Sequence, residues 1–292
     1  MTLSLIVNPS AGNGRAGRAL PGVEAVLAQR RLAYRVETTT SLAHARELAL
    51  GAAAAGETAV AFGGDGLIGA VADALKHTDA VLGVLPGGRG NDFARALGIP
   101  LEPRAACDVL SSGVVRSLDL GQVGSRTFVS IASCGFDSDA NRIANETRIA
   151  RGTLVYAYGA LRAITRWRPA TFRVAIDGGE PRSLTGYSVA AANSTAFGGG
   201  MFLAPQASMQ DGLLDVVTIA DMPRLRYLRL LPTVFKGEHV RYRDVVEVQR
   251  ARQLEISADR PFTVYADGDP IGELPVTVTV LAGAVRALVP AP

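Results

Sequence analysis

The first third of the chain alternates short apolar runs with longer stretches in which apolar residues recur at helical spacing. Leu3–Val7, Ala33–Thr38, Thr58–Phe62 and Ala80–Leu85 read as strands: three are mainly apolar runs, Ala33–Thr38 mixes Tyr and Val with charged residues, and turn-forming residues follow each. Between them, Ala16–Arg31 places Val23, Val26 and Leu27 on one face, and Leu42–Ala55 is an alanine-rich helical stretch. A further helical pattern follows Gly66, and a short helix is expected over Arg104–Leu110. Strands alternating with helices in this order predict a parallel sheet with crossover helices, a Rossmann-like three-layer arrangement.

From Val114 onward the pattern changes to period two. Arg116–Leu120, Arg126–Ile131, Thr171–Ile176, Leu184–Ala191, Leu214–Ile219, Val245–Val248, Gln253–Ile256, Phe262–Tyr265 and Val276–Val280 all read as strands separated by Gly, Asp and Pro. Many short strands with turn signals predict a β-sandwich or an open barrel as the second domain, and the β-sandwich is the expectation. Helical insertions are expected over Thr147–Trp167 and Pro223–Phe235. The expected organisation is an α/β domain over 1–122, with 283–292 returning to it through a strand at Val285–Val289, and a β-sandwich domain over 123–282 that carries the helical insertions.

Composition narrows the class. A chain of 292 residues, 48% hydrophobic, can bury a sizeable core. The net charge of +3 is mildly basic, which argues against nucleic acid and suits an anionic ligand or membrane surface. Two cysteines far apart in sequence imply no disulfide framework, and the three histidines show no metal spacing. No apolar run approaches the roughly 18 residues of a spanning helix, and the N-terminus lacks the features of a signal peptide. The expectation is a soluble cytoplasmic protein.

Candidate chemistry concentrates in glycine-rich segments that follow strands. Asn8-Pro9-Ser10-Ala11-Gly12, Gly63-Gly64-Asp65-Gly66 and Gly87-Gly88-Arg89-Gly90-Asn91-Asp92 all stand at carboxyl ends of predicted strands, as does the Thr38–Ser41 run. Ligands of open α/β sheets bind at that edge. Strand, glycine loop and helix together present bare backbone N–H groups and a helix N-terminus to an anion. Glycine serves there because a Cβ would hold a phosphate away. Two such loops carrying carboxylates point to a polyphosphate and a divalent metal. Local patterns also admit plainer roles. A lone GGDG is equally a tight turn, Asp65 and Asn91-Asp92 can cap helices, Asp211 and Asp215 can flank a surface hairpin, and Asp267-Gly268 is a hairpin signal.

Taken together, the segments NPSAG (Asn8–Gly12), GGDG (Gly63–Gly66), LPGGRGNDFARALGIP (Leu85–Pro100), APQASMQDGLLDV (Ala204–Val216) and YADGDP (Tyr265–Pro270) resemble, in order, the diacylglycerol kinase catalytic-domain family. That family includes bacterial lipid kinases and sphingosine kinases and is more distantly related to NAD kinases. The resemblance implies transfer of the ATP γ-phosphoryl group to a lipid hydroxyl in phospholipid metabolism, with ATP and Mg2+ as cofactors. ATP is expected between the domains, with nucleotide contacts at Asn8, Pro9, Ser10, Ala11, Gly12, Thr39, Gly63, Gly64, Asp65, Gly66, Leu67, Gly88, Arg89, Gly90 and Asn91. Asp65 belongs to the acidic network of the catalytic metal. A second magnesium site matches the carbonyls of Ser208 and Leu213 and the side chain of Asp211. Asp269 takes the place of the general base and Asp267 supports it.

Four positions depart from the family pattern: Leu67 stands for Thr, Ala70 for Glu, Arg89 for Thr and Asp269 for Glu. Losing two hydroxyls removes phosphate-side hydrogen bonds, which Arg89 can replace with a charge-assisted contact. The expected partners are a lipid substrate and a membrane surface touched peripherally; the Leu- and Arg-rich Pro223–Phe235 segment reads first as a surface helix packed on the sandwich and second as an element that docks on anionic lipid. Homodimer formation stays open, as do two rivals: an NAD kinase-like kinase of a soluble acceptor, and a catalytically weak nucleotide- or lipid-binding regulator.

Overall fold

The computed structural model describes residues 2–139, 143, 162–165 and 167–292. The chain divides into two compact units, Met1–Leu120 with Ala282–Pro292, and Gly121–Leu281. Among the described residues no helix is long and apolar enough to cross a membrane.

The first unit is built on a parallel sheet. Strands β1 (Thr2–Val7), β2 (Ala33–Thr38), β3 (Thr58–Gly63) and β4 (Val81–Pro86) run in the order β4-β3-β1-β2. The far end of the last strand, β15 (Val276–Val289), joins beside β4 in parallel through Arg286 and Ala287. The central strand β3 is buried along its whole length, as parallel strands covered on both faces must be. Leu5, Ile6, Val60, Phe62 and Leu85 form this core with helix residues Val23, Leu27, Ala49, Ile68 and Val71, all essentially without solvent exposure. The helices are α1 (Ala11–Gln29), α2 (Leu42–Ala54), α3 (Asp65–Leu75), α4 (Asp92–Ala96) and α5 (Pro103–Ser112). Ser41 caps α2 by accepting from the His44 N–H, and Glu102 caps α5 through Ala105 with Pro103 in the first turn.

Helix α1 begins earlier than periodicity predicts, but it is not regular from its start. Gly12, Asn13 and Gly14 all have left-handed φ/ψ, so the regular helix takes over only after them. Two of the three are glycine and the third is asparagine, the residues that enter this region most cheaply.

The second unit is antiparallel throughout its ladders. Its strands are the end of β5 (Val114–Val123), β6 (Arg126–Phe128), β7 (Ile131–Gly135), β8 (Ala170–Ile176), β9 (Arg182–Ala192), β10 (Leu214–Ala220), β11 (Val246–Ala251), β12 (Gln253–Ala258), β13 (Thr263–Ala266), β14 (Asp269–Glu273) and the start of β15. Strand β9 organises the unit: it pairs with β7, β8 and β10, and from Gly186 to Ala192 it is wholly buried. An aromatic cluster fills the interior, with Tyr187 stacked on Tyr227 at 4.0 Å and Phe136 edge-on to Tyr227 at 4.9 Å. Trp167 is 2% exposed and stacks on Tyr187.

Two sequence expectations change in this unit. The helix expected over Pro223–Phe235 is α-helical only from Arg224 to Leu230 and continues as 3-10 turns over Leu231–Lys236. Pro232 lacks the N–H that α-helical bonding would need there. The runs Val276–Val280 and Val285–Val289 belong to one strand, in which Gly283 takes a left-handed φ of 59°. Most of the helix expected over Thr147–Trp167 lies outside the described residues.

Candidate active site

In the first unit the glycine segments meet at their backbones. Asn8 donates its N–H to Phe62 O, and its side chain accepts from the Ser10 N–H at 3.1 Å, which folds the chain sharply at the end of β1. The Gly87 N–H donates to Gly63 O at 2.7 Å, joining the loops after β4 and β3. A Cβ on Gly88 would stand 2.5 Å from the Gly64 Cα, and one on Gly12 would stand 2.4 Å from Gly87 O. Three loops far apart in sequence therefore approach too closely for any side chain. A Cβ on Gly66, in the first turn of α3, would meet nothing within 4 Å, so the cradle is open at that helix N-terminus.

Asp65 lies in this cradle, half-buried, and accepts from the Phe93 N–H at 3.1 Å. Burial pushes its carboxyl above the usual carboxylate range, against the pull of the backbone N–H groups of Phe93 and Asn91. A cation beside it would favour the ionised form. Asp92 is the natural second carboxylate: a Cβ at Gly90 would lie 3.1 Å from Asp65 Oδ2 and 3.2 Å from Asp92 Oδ2, so both carboxylates border that glycine. The sequence offers Asp92 both as the carboxylate of the second glycine loop and as a helix cap, and the local pattern does not decide between them. These donors are hard oxygens, and the cradle fits a phosphate with a divalent ion.

Other predicted contacts sit less openly. Leu67 is 3% exposed, and its side chain packs back toward Gly63, while Ala70 is also 3% exposed. Their replacement of hydroxyl and carboxyl groups therefore extends the apolar core of α3. The Asn91 carboxamide accepts from the Gly88 N–H at 2.9 Å and donates to Gly88 O, holding Asn91 in a left-handed conformation and closing the loop. Thr39 donates its hydroxyl to Ser41 O at 2.7 Å and so shapes the turn after β2. Arg89 is exposed and donates to Asn13 Oδ1, which links the third loop to the first. Asn13 was not among the sequence candidates; its left-handed backbone becomes apparent only in the fold.

In the second unit, Asp267 and Gly268 make the tight turn between β13 and β14, with φ of 51° and 92°. The Asp267 carboxylate accepts from three consecutive backbone N–H groups: Val129 at 2.7 Å, Ser130 at 2.9 Å and Ile131 at 3.2 Å. The Asp267 N–H donates to Ile131 O. Asp269, the first residue of β14, is exposed and pairs across the hairpin with Ala266. Asp267 thus pins the turn, and Asp269 is left with its carboxylate at the surface.

The turn Ser208–Leu213, predicted to hold the second metal, is closed by the chain itself. Ser208 Oγ accepts from the Gln210 N–H and Asp211 Oδ1 accepts from the Leu213 N–H at 3.1 Å. Arg250 reaches this turn, with Nη1 3.9 Å from Asp211 Oδ2 and Nε 3.8 Å from Asp215 Oδ1. The Asp215 side chain is 4% exposed. Burial raises its carboxyl above the usual range, Arg250 draws it down, and Asp211 pushes it up. A guanidinium within ion-pair distance of the only charged predicted ligand is a poor fit to a second divalent cation. Among the described residues no three His, Cys, Asp or Glu side chains gather as a metal set.

Comparison with known proteins agrees with the fold of both units. The family model described as the diacylglycerol kinase catalytic domain matches residues 2–123, and the YegS C-terminal NAD kinase beta sandwich-like domain matches 130–289. A protein named diacylglycerol kinase from Mycobacterium tuberculosis is 36% identical over 296 residues, covering 99% of this chain and 95% of its own. Another of that name from Bacillus subtilis is 31% identical over 224 residues, covering 74% and 72%. Among solved structures, a diacylglycerol kinase from Bacillus anthracis superposes with a TM-score of 0.76 at 18% identity, covering 99% of this chain and 96% of that one. An NAD kinase from Archaeoglobus fulgidus in complex with ATP reaches 0.53 at 14% identity, covering 99% and 93%. Both superpositions speak to the fold. By its two matched domains and its full-length relatives, the chain belongs to the diacylglycerol kinase family of lipid kinases.

Proposed function

We propose that this protein transfers the γ-phosphoryl group of ATP, with Mg2+, to the hydroxyl of diacylglycerol or a related lipid alcohol. The observation that carries the reading is the meeting of three glycine loops around Asp65 and Asp92, in a chain whose relatives are named for this activity. Bound Mg2+ would neutralise charge on the phosphates, and Asp65 and Asp92 are the side chains placed to hold it. Backbone N–H groups at Gly64, Asp65 and Gly66 orient the phosphates at the start of α3. Asp269 accepts the proton of the attacking hydroxyl. The remainder of the rate enhancement comes from positioning and charge neutralisation. The direct test is incubation with labelled ATP, Mg2+ and a mixed lipid extract, followed by identification of the labelled product. Label in a lipid supports the proposal; label only in a soluble dinucleotide, or none, overturns it.

Arg89 takes over the phosphate contact that the family places on a hydroxyl. On binding, its guanidinium turns from Asn13 to the phosphates. A charge-assisted hydrogen bond contributes about 1.5–3 kcal/mol. Arg89→Ala is therefore expected to raise the ATP KM about tenfold or more with a smaller change in kcat. An unchanged KM would remove Arg89 from the nucleotide site.

The substrate of such an enzyme resides in a bilayer. The segment after β10 exposes Leu225 (60%), Phe235 (50%) and Tyr242 (45%), interspersed with Arg224, Arg226, Arg229, Lys236, Arg241 and Arg243. Apolar side chains among cations are suited to an anionic lipid surface. The protein is expected to cosediment with vesicles rich in anionic lipid at low salt, and Leu225→Glu to weaken that binding. Failure of the unaltered protein to cosediment would count against this face.

A further inference from the structure

The β10–β11 ladder sets Asp215 directly opposite Arg250, and the guanidinium extends from there to Asp211 in the preceding turn. We infer that Arg250 supplies, from within the chain, the positive charge that the family resemblance assigns to a second magnesium ion at the Ser208–Leu213 turn, so that this turn is held without metal.

Asp215 is almost wholly shielded from water, and a buried carboxylate needs a partner charge. Asp211 adds a second negative charge nearby and increases that need. Arg250 answers both, because its charge stands 3.8–3.9 Å from the two carboxylates while about half of its side chain stays in solvent. Asp211 Oδ1 accepts from the Leu213 N–H, and Oδ2 faces Arg250 Nη1 at 3.9 Å. The left-handed Gly212 and the Ser208–Gln210 bond complete the turn.

Magnesium bound to Asp211 Oδ2 at its usual distance would stand no more than about 6 Å from Arg250 Nη1. Arginine cannot relieve that repulsion by losing a proton. Ion and guanidinium are therefore alternatives for one role. The ladder register favours the guanidinium, because it fixes the Arg250 backbone beside Asp215.

This inference does not depend on the kinase reading, and its test uses neither nucleotide nor lipid. Thermal unfolding of the full chain is compared in EDTA and in millimolar MgCl2. Any Mg2+ response of the unaltered protein is expected to be the same in Asp211→Asn, because a cation held by Asp65 and Asp92 is common to both. Arg250→Gln is expected to unfold about 4 °C lower in EDTA and to regain part of that loss with Mg2+. The regain beyond the response of the unaltered protein should vanish in Arg250→Gln combined with Asp211→Asn. Arg250→Lys, which keeps the charge, should respond to Mg2+ as the unaltered protein does. A Mg2+-dependent rise in the unaltered protein that disappears in Asp211→Asn would overturn the inference. So would an Arg250→Gln variant as stable as the parent in EDTA.

Discussion

Asp269→Asn is expected to lower phosphoryl transfer by about 10²–10⁴-fold while leaving nucleotide affinity unchanged. The substitution keeps size and shape but removes the ability to take a proton. Asp269 begins β14 at the hairpin tip, exposed, and its backbone pairing with Ala266 does not involve the carboxylate. The hairpin therefore survives the change, and a loss of rate reports on chemistry. Turnover with labelled ATP and lipid gives the rate; equilibrium binding of a fluorescent nucleotide gives the affinity. Asp269→Glu restores the residue usual in the family and is expected to retain activity. A rate within threefold of the parent for Asp269→Asn would remove Asp269 as the base.

The second large effect falls on stability. Asp267→Ala takes away the acceptor of three backbone N–H groups, those of Val129, Ser130 and Ile131. A donor left buried and unmet costs about 1–3 kcal/mol. Asp267 is only half-buried, so water reaches part of the site, and the expected net loss is about 3 kcal/mol. The measurement is the midpoint of denaturant unfolding, with an unchanged m-value showing that the folded state is otherwise the same. Asp267→Asn keeps one acceptor oxygen and should lose less. Activity should fall in parallel, because the same carboxylate holds the turn that presents Asp269. A midpoint equal to that of the parent would show that the three contacts contribute nothing.

These two neighbours illustrate what could be read from residues and what could not. Asp267-Gly268 is legible as a tight turn because its φ demands are local. The three N–H partners of Asp267 lie nearly 140 positions earlier in the chain, and no local pattern announces them. The parallel sheet was legible for a similar local reason: strands covered on both faces must be apolar along their length, as Thr58–Gly63 is. The antiparallel unit was legible through period-two alternation, although Asp269–Glu273 escaped because an Asp-Pro start followed by Gly272 carries little strand signal. The irregular backbone at Gly12-Asn13-Gly14 falls before Ala16, where the periodicity starts the helix, and only its left-handed φ values went unread. Asp92 stayed open between helix cap and cradle carboxylate, because the two look alike in sequence.

The amino-acid order alone determined the fold class, the placement of glycine segments after strands and the resemblance to lipid kinases. Each of these follows from short-range rules: side-chain period, backbone freedom and the residues allowed next to a phosphate. The tertiary structure decided which charges meet. Arg250 is 35 and 39 positions away from Asp215 and Asp211 along the chain, and only the register of β10 against β11 brings it to both. Electrostatic partners are chosen by distance in space, and distance in space is set by how strands pair.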